Sequence, residues 1–335
     1  MLATIGDLAR IFQSRQLTTG IKADISRLSE ELTTGVRTDP IGSAVGDFGP
    51  RARMERLLTT LGARKTATSE AAFLTEVMQT TLDSVQENTR ATGQSLLALT
   101  GNEYVALINV KASAARQGFD QVISALNSNA AGRTMFGGAA TDRAALASAD
   151  EILAALVSAV AAETTPAGVA QAVDDWFDTP GGGFETVAYL GSTAPMGAFQ
   201  IGESDVVKPD IRADDPALRG VMKSFAMAAL VTEGILAGTS DGPAGLLQIA
   251  SERLVAADQS LTELRAGLGE MQEKIETATA TNSAMETTIK LSRNDLIAVD
   301  PYETASRLEA SYSQLETYYT LTARLSRLNF TDFLR

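Results

Sequence analysis

One heptad phase runs through the C-terminal third of the chain: Leu247, Ala250, Leu254, Ala257, Leu261, Leu264, Leu268, Met271, Ile275, Ala278, Asn282, Met285, Ile289, Ser292 and Leu296. Thirteen of these fifteen positions are apolar, where the chain's 44% hydrophobic content gives about seven. The spacing predicts a long coiled-coil-like helix with polar Asn282 and Ser292 inside its seam. At 1.5 Å per residue such a helix reaches about 75 Å, so a partly rod-shaped molecule is expected. A shorter seam, Ile21, Ile25, Leu28 and Leu32, steps by four, three and four and stops at Gly35. The last stripe follows "VDPYE", where Asp300 is a preferred cap and Pro301 suits the first helical position; it carries Leu308, Tyr312, Leu315, Tyr318, Leu321, Leu325 and Leu328. A single amphipathic helix is unstable alone in water. The two terminal stripes are therefore expected to pair, antiparallel or nearly so.

Between them, apolar positions at threes and fours predict helices over 51–100 and 104–127, separated by "TGNE". The loop "TDPIGSAVGDFGP" precedes the first. Residues 139–239 differ in texture. Alanine-rich helices are predicted over 144–162 and 166–177, another opens at "DDPALRG", and strand-like runs sit between glycines and prolines in "TPGGGFETVAYLGSTAPMGAFQIGESDVV". The expected fold is mainly α: an elongated rod of long helices with paired terminal coiled-coil helices and a small α/β insertion with its own core. Its expected divisions are 1–50 with 298–335, 51–138 with 240–297, and 139–239.

The chain has neither cysteine nor histidine. This excludes the usual zinc sites, a thiol nucleophile and a Ser-His-Asp triad. No phosphate-loop, dinucleotide-binding or nucleophile-elbow motif is present. Asp174, Asp175 and Asp178 around Trp176 read as solvated charge, "GGG" at 181–183 as a flexible turn, and Asp205, Asp210, Asp214 and Asp215 lack the spacing of a calcium loop. No catalytic residue, metal ligand or cofactor is expected, and the chain reads as no enzyme. A net charge of -13 argues against nucleic acid and anionic membrane as partners. The start of the sequence, with Asp7 and Arg10 in its apolar stretch, does not read as a cleaved secretory signal.

Three segments resemble a known family. Leu32, Thr33, Thr34, Gly35, Val36 and Arg37 are similar to a conserved stretch near the N-terminus of bacterial flagellins and their hook-associated relatives. "RAGLGEMQEKIETA" at 265–278, and Asp300, Tyr302 and Leu308, resemble that superfamily's C-terminal helices. Gly132, Phe136, Gly138 and Thr141 are similar to a segment of its hook–filament junction branch, with Met135 departing from the usual leucine. The resemblance covers 1–138 and 240–335. It implies a structural subunit joining hook to filament, exported without a cleaved signal by the flagellar type III system and located on the flagellum outside the cell. It implies self-association in a ring, contact with flagellin and another hook-associated protein, and a flagellar export chaperone. The assembly residues it implies are Ile21, Ile25, Leu28, Leu32, Leu308, Leu315, Leu321, Leu325 and Leu328. A main filament subunit is the alternative within the family. A secreted scaffold whose central block binds glycan or carries carboxylate chemistry is the alternative outside it.

Overall fold

A computed structural model describes residues 5–38, 49–99, 105–239 and 241–327. In chain order the helices are α1 (Ile5–Thr34), α2 (Gly49–Leu97), α3 (Val105–Leu126), α4 (Ala149–Val160), α5 (Pro166–Asp178), α6 (Pro216–Leu230), α7 (Gly242–Ile297) and α8 (Pro301–Arg327). Two short antiparallel hairpins join β1 (Asn129–Ala130) to β2 (Arg133–Thr134) and β3 (Phe199–Gln200) to β4 (Val206–Val207), with Asn129 opposite Thr134 and Phe199 opposite Val207. The fold is mainly α. Most of the loop over 38–50, and the break at 100–103, lie outside the described residues.

Helix starts follow their side chains. Thr165 accepts from the Gly168 N–H at 3.1 Å ahead of Pro166, and Asp215 accepts from the Ala217 N–H at 2.9 Å ahead of Pro216. Ser148 and Glu151 form a reciprocal capping box, which starts α4 five residues later than the apolar pattern alone suggests. The chain divides into two compact units, residues 1–61 with 284–335 and residues 62–283.

Most of the buried core of the 62–283 unit is one continuous cluster. It draws Met78 and Leu82 from α2, Phe119 from α3, Leu156 from α4, Phe225 from α6 and Leu254 from α7. The block 139–239 therefore shares its core with the long helices rather than enclosing its own. The reason lies in α6, where every residue from Ser224 to Leu230 is buried. A helix apolar all round needs cover on several sides, and α3, α4 and α5 all pack on it. Gly118 of α3 makes one of these approaches possible: a Cβ there would lie 2.5 Å from a ring carbon of Phe225.

The expected strand at 184–190 is instead a π-helix, Phe184–Ala188, closed by the Tyr189 N–H donating to the Phe184 carbonyl at 2.8 Å. Ring packing outweighs strand pattern here, because Phe184 stacks between Phe177 (5.3 Å) and Tyr189 (6.2 Å). The α/β expectation for this block reduces to helices and one two-residue hairpin.

The predicted seam of α7 is buried at every seventh residue: Leu254, Leu261, Leu268, Ile275 and Asn282. Asn282 is satisfied by donating its Nδ2 to the Ile201 carbonyl at 2.8 Å, where Ile201 and Val207 of the β3–β4 hairpin pack with Ala71 and Ile275. Register between α2 and α7 is fixed by Gln86, whose Nε2 donates to Thr262 Oγ1 at 2.7 Å while Arg265 donates to its Oε1 and pairs with Asp83 at 2.7 Å.

Asp174 and Asp178, read as solvated charge, are tied to neighbouring helices. Asp174 accepts from Arg253 of α7 at 2.5 Å, and Lys223 of α6 reaches Asp178 at 2.5 Å and Asp174 at 3.4 Å, so α5 is stapled to both neighbours. Asp210 and Asp214 flank Arg212 at 2.6 and 2.9 Å, and burial pushes the Asp215 carboxyl above the usual carboxylate range.

Within the triple glycine, Gly181 takes the left-handed conformation (φ +71°), while Gly182 and Gly183 serve close approach. A Cβ on Gly183 would lie 1.9 Å from Trp176 Nε1, so the backbone passes where only glycine fits. Trp176 is the chain's single tryptophan. Gly183→Ala is expected to displace its ring, shifting the emission maximum and costing about 1–3 kcal/mol by overpacking. Gly197→Ala, with nothing within 4 Å of the added carbon, is the control expected to change neither. Equal fluorescence and melting in the two variants would refute the close-approach account.

Candidate assembly surface

The 1–61/284–335 unit is built on α1 and α8, which pack along each other. Gly35 (φ +69°) takes the left-handed conformation that ends α1, and its N–H donates to the Glu31 carbonyl at 2.8 Å. The chain then pairs antiparallel with the α7–α8 junction: Val36 bridges Ala298, the Arg37 N–H donates to the Ile297 carbonyl at 3.0 Å, and the Val299 N–H donates to the Gly35 carbonyl at 3.1 Å. Asp300 then caps α8, its Oδ1 accepting from the N–H groups of Tyr302 (2.8 Å) and Glu303 (3.2 Å). Glu31 is 5% exposed and closes the corner by accepting from the Thr38 N–H at 3.1 Å and from Arg27 at 3.4 Å. Toward the other end the Tyr318 hydroxyl donates to Ser14 Oγ. With residue 36 beside 298 and residue 14 beside 318, the two helices run antiparallel, as their stripes predict.

The stripe residues differ in burial. Leu28 is buried, while Ile21, Ile25, Leu308 and Leu315 are half-buried along the pair. Leu32 is 38% exposed and Leu321 53% exposed. The Leu325 side chain and the whole of Leu328 lie outside what the structure describes. Sequence reasoning missed Leu17, which lines a groove with Ile21, Thr317, Tyr318 and Leu321 and is 58% exposed. Its signal was available, since it stands four residues before Ile21 on the same face. Ser14 carries no such signal, being identifiable only through its partner Tyr318.

Apolar exposure distinguishes this unit. Among its described residues, Leu28 and Leu61 alone are buried hydrophobics. Phe12, Leu17, Leu57, Met285, Leu296 and Leu321 are each more than 40% exposed. The α7 seam tells the same story along one helix: buried through Asn282, it emerges at Met285 and Leu296. Hydrophobic faces of this extent mark a protein interaction surface. Hydroxyls on it are already engaged, since Thr18, Thr33, Thr317, Thr320 and Thr322 each donate to the carbonyl four residues back on their own helix at 2.7–2.9 Å. No helix among the described residues is long and apolar enough to cross a membrane.

Residues 253–334, which include most of α7 and all of α8, match the bacterial flagellin C-terminal helical region. Among solved structures, FlgL of Bacillus cereus superposes with a TM-score of 0.51 at 13% identity, covering 71% of this chain and 97% of that one. A protein assigned as a flagellar hook-associated protein of Vibrio parahaemolyticus superposes with a TM-score of 0.48 at 13% identity, covering 73% and 94%. No curated protein sequence matches the chain. The chain thus ends in a flagellin-type helical region and shares the fold of FlgL.

Proposed function

We propose that this protein is a structural subunit of the bacterial flagellum, joining hook to filament, and that α1 and α8 are the elements through which it assembles. The observation that carries the reading is the open apolar surface of the 1–61/284–335 unit, which a single chain leaves wet on the helices matching the flagellin C-terminal region. In water this surface costs free energy; covered by neighbouring copies it supplies the association energy. On this reading copies close into a ring, with flagellin and another hook-associated protein as neighbours. A flagellar export chaperone covers the terminal stripe before type III export to the outside of the cell. The chain works without catalysis. On this reading the two compact units serve as three working parts: terminal helices (1–50 with 298–335), a helical body (51–138 with 240–297) and the block 139–239, whose core is continuous with that body.

A strain lacking the gene tests this directly under the electron microscope. Hooks without filaments, with flagellin shed into the medium, are the expected outcome. Normal filaments would refute the reading. Copy number separates a junction subunit from a filament subunit: in sheared flagella the former is a trace band and the latter the dominant one.

A further inference from the structure

Away from the terminal helices, a cavity of about 260 Å³ opens between the π-helix and the start of α6. Phe184 and Tyr189 form its apolar side, and Glu185, Thr193, Asp214 and Arg219 bring polar groups to it. Main-chain bonds hold its walls. The N–H groups of Leu190 and Ser192 donate to the carbonyls of Ala145 and Gly137 at 2.8 and 2.9 Å, and those of Ala139 and Ala147 donate to the carbonyls of Ala194 and Ala188 at 3.0 and 2.8 Å. The Tyr189 hydroxyl donates to the Ser192 carbonyl at 2.8 Å. Gly191 permits this fold-back, since a Cβ there would lie 2.6 Å from the Tyr189 hydroxyl oxygen. The segments that carry the lining side chains are therefore held by main-chain bonds. π-Helical turns recur at functional sites, and this one walls the cavity.

Most of the charge around it is answered from within the protein, although the buried Arg219 Nε has no hydrogen-bond partner. Arg212 holds Asp214 at 2.9 Å, Glu185 accepts from the Gly181 N–H at 2.8 Å, and the Arg219 guanidinium lies 5.7 Å over the Phe184 ring while donating to the Phe177 carbonyl at 3.3 Å. Burial pushes the Tyr189 hydroxyl up to about 12, so it stays neutral. An anion would meet Asp214 and Glu185, and a cation would meet Arg219. A wholly apolar ligand would strand the polar groups. What remains is hydrogen-bonding capacity of both senses beside an apolar wall, in a space just under the roughly 300–1,000 Å³ of drug-sized pockets and so sized for one ring.

We propose that this cavity binds a neutral sugar, one pyranose unit, its C–H groups against Tyr189 and the ring edge of Phe184, whose faces are covered by Phe177 and Tyr189, and its hydroxyls on Glu185, Thr193, Asp214 and Arg219. The site does not depend on the assembly reading. The test titrates the full chain with glucose, galactose, mannose and N-acetylglucosamine, following the sugar by saturation-transfer NMR. Trp176 fluorescence follows the protein, the ring being linked to Phe184 through Phe177 at 4.9 and 5.3 Å. Saturable binding of at least one sugar is expected, with a Kd of about 1 mM for so small a ligand. Thr193→Phe, a change at an exposed position, is expected to fill the mouth and weaken binding at least about tenfold with melting unchanged; Glu185→Gln is expected to weaken it severalfold. Absence of saturable binding by all four sugars would overturn the proposal. So would affinity untouched by both variants, or glycine or phosphate binding where sugars do not.

Discussion

Changing Leu17 and Leu321 together to alanine is expected to leave the single chain melting as before and to stop it from assembling. Both side chains are more than half exposed in the chain by itself, at 58% and 53%, and exposed substitutions of this kind move stability by about 0.5 kcal/mol or less. Once covered by a neighbouring subunit, each truncated leucine costs about 2–5 kcal/mol. Two such losses weaken an interface by roughly a thousandfold or more. The comparison is Leu261→Ala in the fully buried part of the α7 seam, expected to cost the isolated chain about 2–5 kcal/mol. Thermal unfolding of purified chains, and recovery of the variants in assembled flagella, read the two effects separately. A double variant that melts well below its parent would assign Leu17 and Leu321 to an internal core and remove the support for assembly through this groove.

The largest effect within one chain is expected at the crossing of α3 and α6. Phe225 is fully buried, and its ring lies against Gly118 and beside Asn88, which donates to the Gly118 carbonyl at 2.9 Å. Phe225→Ala empties the centre of the shared core and is expected to cost about 3–5 kcal/mol, a large part of the 5–15 kcal/mol of a typical protein. Gly118→Ala errs in the opposite direction, pushing a methyl into the same ring for about 1–3 kcal/mol. The errors compensate: Gly118→Ala with Phe225→Leu is expected to cost less than the two single changes added, by at least about 0.5 kcal/mol. Urea unfolding of the four chains measures the coupling. Strict additivity would show that the helices can separate here without consequence.

The long helices and their caps were legible because their signals are local. Ile21, Ile25 and Leu28 stand on one face at helical spacing, and Asp300 ahead of Pro301 names a helix start by itself. The α1–α8 pairing was legible by elimination, since two stripes lacked partners. What escaped was non-local. Nothing in the α6 sequence says which helices cover it, so the sharing of one core by 139–239 and the long helices could not be read. Asn282 looked like a break in a seam, and only the fold brings the Ile201 carbonyl to meet it. The π-helix at Phe184 defeats periodicity altogether: a short apolar run between glycines looks the same whether it pairs as a strand or winds to stack its rings. The acidic pair Asp174 and Asp178 looked solvated because their partners, Lys223 and Arg253, lie about fifty and eighty residues away in sequence. For the assembly surface, residue types were legible; how much of each stays uncovered required the three-dimensional pairing.

The threonines that donate to their own helix have a consequence for any surface that comes to cover the exposed faces of α1 and α8. A hydroxyl turned onto a carbonyl of its own turn has its donor already occupied, so covering it with a neighbour leaves no orphaned O–H behind. Its oxygen still accepts from water while the chain is single. Covering such a hydroxyl strips no charge, unlike covering the lysine, arginines and carboxylates that the same two helices carry. A surface made this way tolerates both conditions, open to water and covered by another surface.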